Sequence, residues 1–297
     1  MTPMTDSTTS LRASLLDRLA AQWIALGVTL TGRPDEDLID IEALVALTAE
    51  LGQEDARVYE GAVDWCTAYG AAVNVGRLRT VAAEMAIDVA RLGTFAALLS
   101  SAGGPRWPFP GETAYRYEPR GKVHIRTLRT AAALAWRLRS AFGVTARADI
   151  LAILAAAGGR EMTVADLARL ARFTKRNVAL TVQSLALADV LEVDRIGNEL
   201  RVKLTGEPGF RAWLEPTPCG YVDWVGRFAV AVRALGFAVP ATAPASVRAI
   251  EARVLMTQLA PLIRRTGLPL PDTSAMGEAF NAAFDQWCSR LADAFTP

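Results

Sequence analysis

The chain has 297 residues, of which 52% are hydrophobic and 21% are charged, and its formal net charge is +1. This length allows a buried core and about two domains, and the alanine-rich composition favours a mainly α fold. The apolar run 92–102 is much shorter than the about 20 residues that span a bilayer, and the N-terminus lacks the features of a secretory signal. We therefore expect a cytoplasmic protein with no membrane partner.

The first part of the chain, 1–103, is expected to be an acidic helical domain that follows a polar tail at 1–10. Residues 1–100 contain 14 acidic and 7 basic residues. Apolar residues recur there with helical periodicity. The pattern predicts helices over 11–26, 40–51, 55–69, 75–86 and 87–101.

The next segment, 104–145, is predicted to be a basic, proline-rich loop followed by a linking helix over 127–141. Aromatic side chains are interleaved with its arginines and could either stack on unpaired bases or anchor the loop to a core, and the prolines favour anchoring. The helix carries Arg129, Arg137 and Arg139 on a face that could meet phosphate or solvent. Possible phosphate contacts of this segment are Arg120, Lys122, Arg126 and Arg129.

Segment 146–206 carries the most informative pattern in the chain. A helix with one buried face is predicted over 146–157 and ends at a glycine pair. Thr163 stands in an N-cap position with Asp166 three residues later, which predicts a short second helix. The hydroxyl of Thr174 can cap a third helix whose buried side is Val178, Val182 and Leu185.

A β-hairpin is expected to follow the third helix. The runs 190–194 and 199–204 favour strands, and Gly197 provides a turn position between them. Residues 101–210 contain 17 basic and 10 acidic residues, so a polyanion would be attracted most strongly to this third of the chain.

In this order of elements, segment 146–206 resembles the winged helix-turn-helix domains of bacterial regulators of the MarR and ArsR type. The residues that carry the resemblance are the runs 163–170 (TVADLARL), 174–178 (TKRNV) and 194–198 (DRIGN). The resemblance implies that the third helix enters the major groove of double-stranded DNA and that the hairpin meets phosphates or the minor groove. The DNA-binding residues that it implies are Thr174, Lys175, Arg176, Asn177, Gln183, Arg195, Arg201 and Lys203.

Two leucines depart from this pattern. Leu180 and Leu187 fall on the face of the third helix that would approach DNA. An alternative is therefore that the winged helix docks a protein partner, as part of a scaffold without enzymatic activity.

The last part, 207–297, is predicted to contain helices over 221–235, 245–265 and 274–295, separated by proline-rich connections. These helices offer an apolar surface for packing or for dimerisation. Since one winged helix reads only a short half-site, we expect a homodimer.

Catalysis and metal binding find little support in the sequence. His124 is the only histidine, and Cys66, Cys219 and Cys288 are odd in number and widely spaced, so we expect neither a zinc site nor a disulfide framework. The acidic run 35–37 is explained by a polar loop. We therefore expect no catalytic residues, no metal, no cofactor and no enzymatic activity.

Taken together, the residues predict a mainly α protein with a helical N-terminal domain, a central winged helix-turn-helix with a short β-hairpin wing, and C-terminal helices. The function predicted is that of a dimeric transcriptional regulator. A small-molecule pocket in the flanking helices is a further possibility, suggested by Trp65, Tyr69, Trp213 and Trp224.

Overall fold

The computed structural model describes residues 6–113, 115–240 and 242–297. Within them the protein is mainly α-helical and has one small three-stranded antiparallel sheet, so the coarse fold class expected from the sequence is confirmed. No helix among these residues has the length and apolar character needed to cross a bilayer.

Five helices form the first part of the molecule, and they agree with the periodicity of the sequence to within a few residues. Most begin at an acidic or amide side chain that accepts a hydrogen bond from a backbone N–H of the first turn, as Asp40 and Asn74 do. The first helix begins at Asp6, five residues before the predicted start, and residues 1–5 of the predicted tail lie outside the described residues. The helices are α1 (Asp6–Ala25), α2 (Ile41–Leu51), α3 (Ala56–Tyr69), α4 (Val75–Met85) and α5 (Val89–Ser101).

The proline-rich loop that follows is anchored to these helices, as its prolines favour. Trp107 is buried and stacks on Phe95 of α5 with ring centroids 6.2 Å apart. Tyr117 is also buried, and its hydroxyl donates a 2.8 Å hydrogen bond to Asp64 of α3. At Gly93 a Cβ atom would lie 2.1 Å from the carbonyl oxygen of Pro110, so only glycine lets the loop approach α5 this closely.

The middle of the chain folds into a helix, a strand, two helices and a hairpin. Both predicted caps are present: the Thr163 hydroxyl accepts a hydrogen bond from the Asp166 N–H at 3.0 Å, and the Thr174 hydroxyl accepts one from the Asn177 N–H at 3.2 Å. The elements are α6 (Leu134–Phe142), α7 (Ala146–Ala156), β1 (Met162–Thr163), α8 (Val164–Ala171), α9 (Lys175–Leu187), β2 (Leu191–Ile196) and β3 (Glu199–Leu204).

The sheet has the strand order β1-β3-β2, with both neighbouring pairs antiparallel. Ile196 pairs with Glu199, so the hairpin turn is the dipeptide Gly197-Asn198 and is shorter than the sequence suggested. Gly197 has a φ of +60°, which glycine adopts without strain. Helix α6 begins seven residues later than predicted, because residues 127–133 form a turn-rich approach to it.

The last part contains α10 (Pro208–Leu214), α11 (Trp224–Leu235), α12 (Ala245–Thr266) and α13 (Ala279–Asp293). The short α10 was not predicted. The carboxylate of Glu207 accepts hydrogen bonds from two of its first amides, and Pro208 supplies a helix start that needs no N–H donor.

Two clusters of buried apolar side chains result. The first core joins α1–α5 to α11–α13, and the second core lies among α6–α9, the sheet and Leu214. Trp65 and Trp224 are fully buried within the first core, so these aromatic residues pack the interior. The first and last parts of the chain thus share an interior, while the middle elements enclose one of their own.

Candidate nucleic-acid interface

Helix α9 presents its first turn to solvent. Thr174, Lys175, Arg176 and Asn177 are all exposed. Within the described part of the chain, no acidic side chain forms an ion pair with Lys175 or Arg176. Two uncompensated cations and an amide therefore stand side by side at the N-terminal end of a helix, where the backbone N–H groups add partial positive charge.

The two faces of α9 differ sharply. Val178, Val182 and Leu185 are buried in the second core, as their spacing predicts. The opposite face is not covered by any other part of the described chain: Gln183 is exposed, and Leu180 and Leu187 keep 60% and 89% of their surface accessible. An outer surface that combines a basic amide-bearing end with two exposed leucines is thus free to meet a partner.

The basic residues of the hairpin differ in whether an acidic side chain lies beside them. Arg195, next to the turn, is exposed, and its Nε donates a 3.3 Å hydrogen bond to the carbonyl oxygen of Gly197. Lys203 forms ion pairs with Glu192 at 3.2 Å and with Glu161 at 3.9 Å. Arg201 is half-buried and stands opposite Asp194 in the strand register. The hairpin therefore offers one uncompensated cation near its tip, whereas the charge of Lys203 is offset.

The predicted phosphate contacts 120–129 lie against the first core, away from the second core on which α9 packs. The backbone N–H groups of Arg120 and Lys122 donate to Asp64 of α3, each at 3.2 Å. Arg120 also forms an ion pair with Glu60 at 3.3 Å. Lys122, Arg126 and Arg129 remain exposed, so this segment forms a separate basic surface.

The prediction that Arg137 and Arg139 face phosphate or solvent is wrong. Only 9% of Arg137 and 4% of Arg139 is exposed. Arg137 donates hydrogen bonds to the carbonyl oxygens of Leu214 and Glu215 at the end of α10. Burial lowers the pKa of the Arg137 guanidinium below its usual value, and neighbouring Arg129 lowers it further. These arginines bind the protein itself.

Arg139 belongs to a buried network of charges between the two cores. Its guanidinium contacts Glu42 of α2 at 2.6 Å and Asp149 of α7 at 2.9 Å. Arg77 of α4 reaches the same Glu42 and also Asp40, at 2.5 Å each. Burial raises the pKa of both acidic partners of Arg77, but the adjoining guanidinium groups outweigh burial and hold the pKa of Asp40 and of Glu42 below the ordinary values.

The turn between α8 and α9 is held by residues of α4 and by a residue just before α11. Arg172, whose φ is +57°, contacts Glu84 of α4 at 3.0 Å and Asp223 near the start of α11 at 2.7 Å. The Nε of Arg77 donates a 2.8 Å hydrogen bond to the carbonyl oxygen of Ala171. The direction in which α9 leaves the turn is therefore fixed by contacts far apart in the sequence.

One residue beside α9 was not predicted as part of the interface. Arg147 of α7 is exposed, and its guanidinium lies 3.4 Å from the hydroxyl of Ser184 on α9. Its place in the sequence, two helices earlier, gave no signal that it would lie next to the third helix.

The described residues contain no cluster of histidine, cysteine or acidic side chains that could hold a metal ion. His124 is exposed, and Cys66 and Cys288 are buried free thiols whose pKa burial raises. Comparison with known proteins found no match, whether with protein-family models, curated proteins or solved structures.

Proposed function

We propose that residues 146–206 form a winged helix-turn-helix domain that binds double-stranded DNA, and that the protein is a dimeric transcriptional regulator. The observation that carries this proposal is the exposed first turn of α9, where Lys175 and Arg176 have no acidic partner among the residues that the structure describes. The order of α7, β1, α8, α9 and the β2-β3 hairpin supports it, since in a winged helix-turn-helix domain the helix in the position of α9 is the recognition helix and the hairpin that follows is the wing.

In this proposal the exposed polar residues of the first turn of α9 have defined roles. Arg176 can donate two hydrogen bonds to guanine, and Asn177 can pair in the same way with adenine. Lys175 supplies a point charge to a phosphate. Arg195 near the hairpin tip reaches the phosphates or the minor groove beside the site. Gln183 lies further along the exposed face.

The test is binding of the full chain to random-sequence duplex DNA at about 50 mM and about 200 mM salt, followed by selection from the pool. We expect affinity to fall steeply with salt and one sequence motif to be enriched. Arg33→Ala, which removes an exposed arginine of the N-terminal part, is the matched control for Arg176→Ala. If the chain does not bind at the lower salt concentration, or if both variants lose the same affinity, the proposal fails.

A second candidate function rests on Leu180 and Leu187. Exposed leucines are unusual on a surface that meets phosphates, and they suit a protein partner that docks on the outer face of α9. The variant Leu187→Ser separates the two functions. A DNA-binding α9 should keep its affinity for DNA after this change, whereas a protein-docking surface would lose its partner.

The proposed dimer uses the exposed side of α12. Val247, Ile250 and Val254 recur at helical spacing and are 40%, 61% and 47% exposed. Light scattering at micromolar concentration should give twice the mass of the chain, and Ile250→Glu should give the single mass. A wild-type chain that has the single mass with and without DNA would exclude the dimer.

A further inference from the structure

A large cleft opens beside the first core, at a distance in sequence from the proposed DNA-binding elements. Its volume is about 930 Å³, within the range of small-molecule sites. The lining comes from the end of α1 and the following turn (24–29), the acidic loop (34–36), the approach to α6 (124–128 and 130–132), Trp136, and the connection after α10 (217–219). The proposed function does not use this cleft.

The walls of the cleft are held in place by backbone hydrogen bonds. The N–H of His124 donates to the carbonyl oxygen of Gly27 at 2.8 Å, and the N–H of Thr29 donates to that of Lys122 at 2.9 Å. On the far side, the N–H of Ile39 donates to the carbonyl oxygen of Ala132 at 3.1 Å. The cleft therefore exists before any ligand enters, which reduces the entropy lost on binding.

The interior of the cleft is apolar and partly aromatic. Leu26, Val28, Leu128 and Trp136 contribute to its lining. The ring of Trp136 is backed by those of Trp65 and Tyr69, with centroids 4.9 Å and 5.0 Å away. Trp136 keeps 5% of its surface accessible, so a flat, apolar ring system would gain mainly from the burial of its own surface and would meet the small accessible part of an indole ring whose orientation is fixed by its neighbours.

The charges at the cleft favour an anion. Arg126 lines it, is exposed, and has no acidic partner among the described residues, and Lys122 and Arg129 of the same segment are also exposed. Asp35, the buried acid of the lining, is offset by Arg18 at 2.9 Å. Among the described residues of the lining, Glu36 is the remaining acid and Arg126 is the arginine, so an anion would be attracted at Arg126; Lys122 and Arg129 belong to the same segment but do not line the cleft.

We propose that this cleft binds a small, flat, apolar molecule that carries one acidic group, with the rings against Trp136 and the acid towards Arg126. The proposal is independent of DNA binding, because it rests on a different core and on different residues. Its failure would leave the proposed function of α9 untouched.

Cys219 provides a local reporter for this site. It lines the cleft and is exposed, whereas Cys66 and Cys288 are buried, so a thiol reagent should react with Cys219 alone in the folded chain. The probe is anilinonaphthalene sulfonate, an apolar ring compound with one negative charge. We expect it to slow the reaction of Cys219 with dithiobis(nitrobenzoate) in a saturable manner. Thioflavin T, a positively charged ring compound, should protect Cys219 much less.

Two variants and their controls complete the test. Ala131→Trp should fill the cleft and abolish protection, whereas Ala141→Trp, at an exposed position near the end of α6, should leave it unchanged. Arg126→Gln keeps the cleft open and should weaken binding of the sulfonate about tenfold, because it removes a charge-assisted hydrogen bond. Arg116→Gln is the matched control for lost surface charge.

The outcomes are distinct. If neither the sulfonate nor thioflavin T protects Cys219, the cleft is not a binding site and the proposal fails. Equal protection by both compounds, or equal binding by the Arg126→Gln and Arg116→Gln variants, would overturn the assignment of an acidic ligand. Saturable protection by the sulfonate that is lost in Ala131→Trp and weakened in Arg126→Gln would support the proposal.

Discussion

The arginines of the middle third include two groups that look alike in the sequence and differ in the structure. Arg137, Arg139 and Arg172 are buried and bind carboxylates or carbonyl oxygens of the protein. Arg176 and Arg195 are exposed and have no acidic partner in the described part of the chain. A basic segment therefore contributes less to the outer electric field than its composition suggests, because part of its charge stabilises the fold.

The largest effect is expected from the buried group. Arg139→Met removes one of the two guanidinium groups that face Glu42 and Asp149 and leaves Arg77 beside two carboxylates that are buried near each other. We expect the free energy of unfolding to fall by about 3 to 5 kcal/mol, as when one partner of a buried ion pair is removed. Urea unfolding followed by circular dichroism measures this change.

The control for Arg139→Met is Arg147→Ala, which removes an exposed arginine of the same region. Its cost should stay within about 0.5 kcal/mol, as for most surface substitutions. If both variants lose the same free energy of unfolding, the buried and exposed arginines do not differ in their contribution to stability.

Substitution in the exposed group should weaken DNA binding and leave the stability of the fold unchanged. Arg176→Ala should leave the urea midpoint unchanged, because the exposed side chain has no ion-pair partner in the described part of the chain. It should weaken binding to the selected DNA by roughly 1 to 3 kcal/mol if Arg176 contacts a guanine, and weaken non-specific binding less. Equal loss on every sequence would make Arg176 a phosphate contact.

A smaller effect should appear as a dependence on pH. The pKa of Asp40 is lower in the folded protein than its usual value of 3.8, since Arg77 favours the charged form despite burial. The stabilisation is thus fully present above pH values near 3.8 and is lost as the pH falls towards the folded pKa. Asp40→Asn keeps an N-cap for α2 but removes the charge, so its unfolding free energy should vary less with pH than that of the wild type.

The control for Asp40→Asn is Glu112→Gln, at an exposed position in the proline-rich loop. It should leave the pH dependence of the unfolding free energy unchanged. A wild-type pH dependence in Asp40→Asn would show that Asp40 does not contribute to acid sensitivity.

The smallest effect is expected at Lys203, which is intermediate between the two groups because it is partly exposed and also paired with an acid. Lys203 is exposed in part but is paired with Glu192 at 3.2 Å, a contact that raises the pKa of the amine and lowers that of the carboxyl. Glu192→Gln removes the closer of the two acidic partners of Lys203 and leaves Glu161 at 3.9 Å, so it should raise the affinity for DNA slightly, by less than Arg176→Ala lowers it. Titration of labelled duplex detects the change, and an unchanged affinity would place Lys203 outside the interface.

The sequence was sufficient for features that depend on near neighbours along the chain. The caps at Thr163 and Thr174, the buried stripe of α9 and the hairpin position all follow from spacings of a few residues, and the structure confirms them. Helix α10 was missed because it is only seven residues long and its start depends on Glu207 and Pro208.

The burial of Arg139 could not be predicted, because its partner Glu42 lies 97 positions away in the sequence. Helical periodicity identifies a face but does not say whether that face meets solvent or a carboxylate from another helix. For the same reason the sequence could not place Arg147 beside Ser184, 37 positions later.

The contact between α1 and α13 bears on the order in which the molecule forms. Arg18 donates hydrogen bonds to the carbonyl oxygens of Phe295 and Thr296, 277 and 278 positions away, so the first core closes only when elements very distant in the chain meet. The second core draws nearly all its residues from 134–214 and needs much shorter loops to close. Since closing longer loops costs more entropy and contacts of high sequence separation slow folding, the amides of α7–α9 should gain protection from hydrogen exchange earlier during refolding than those of α1 and α13.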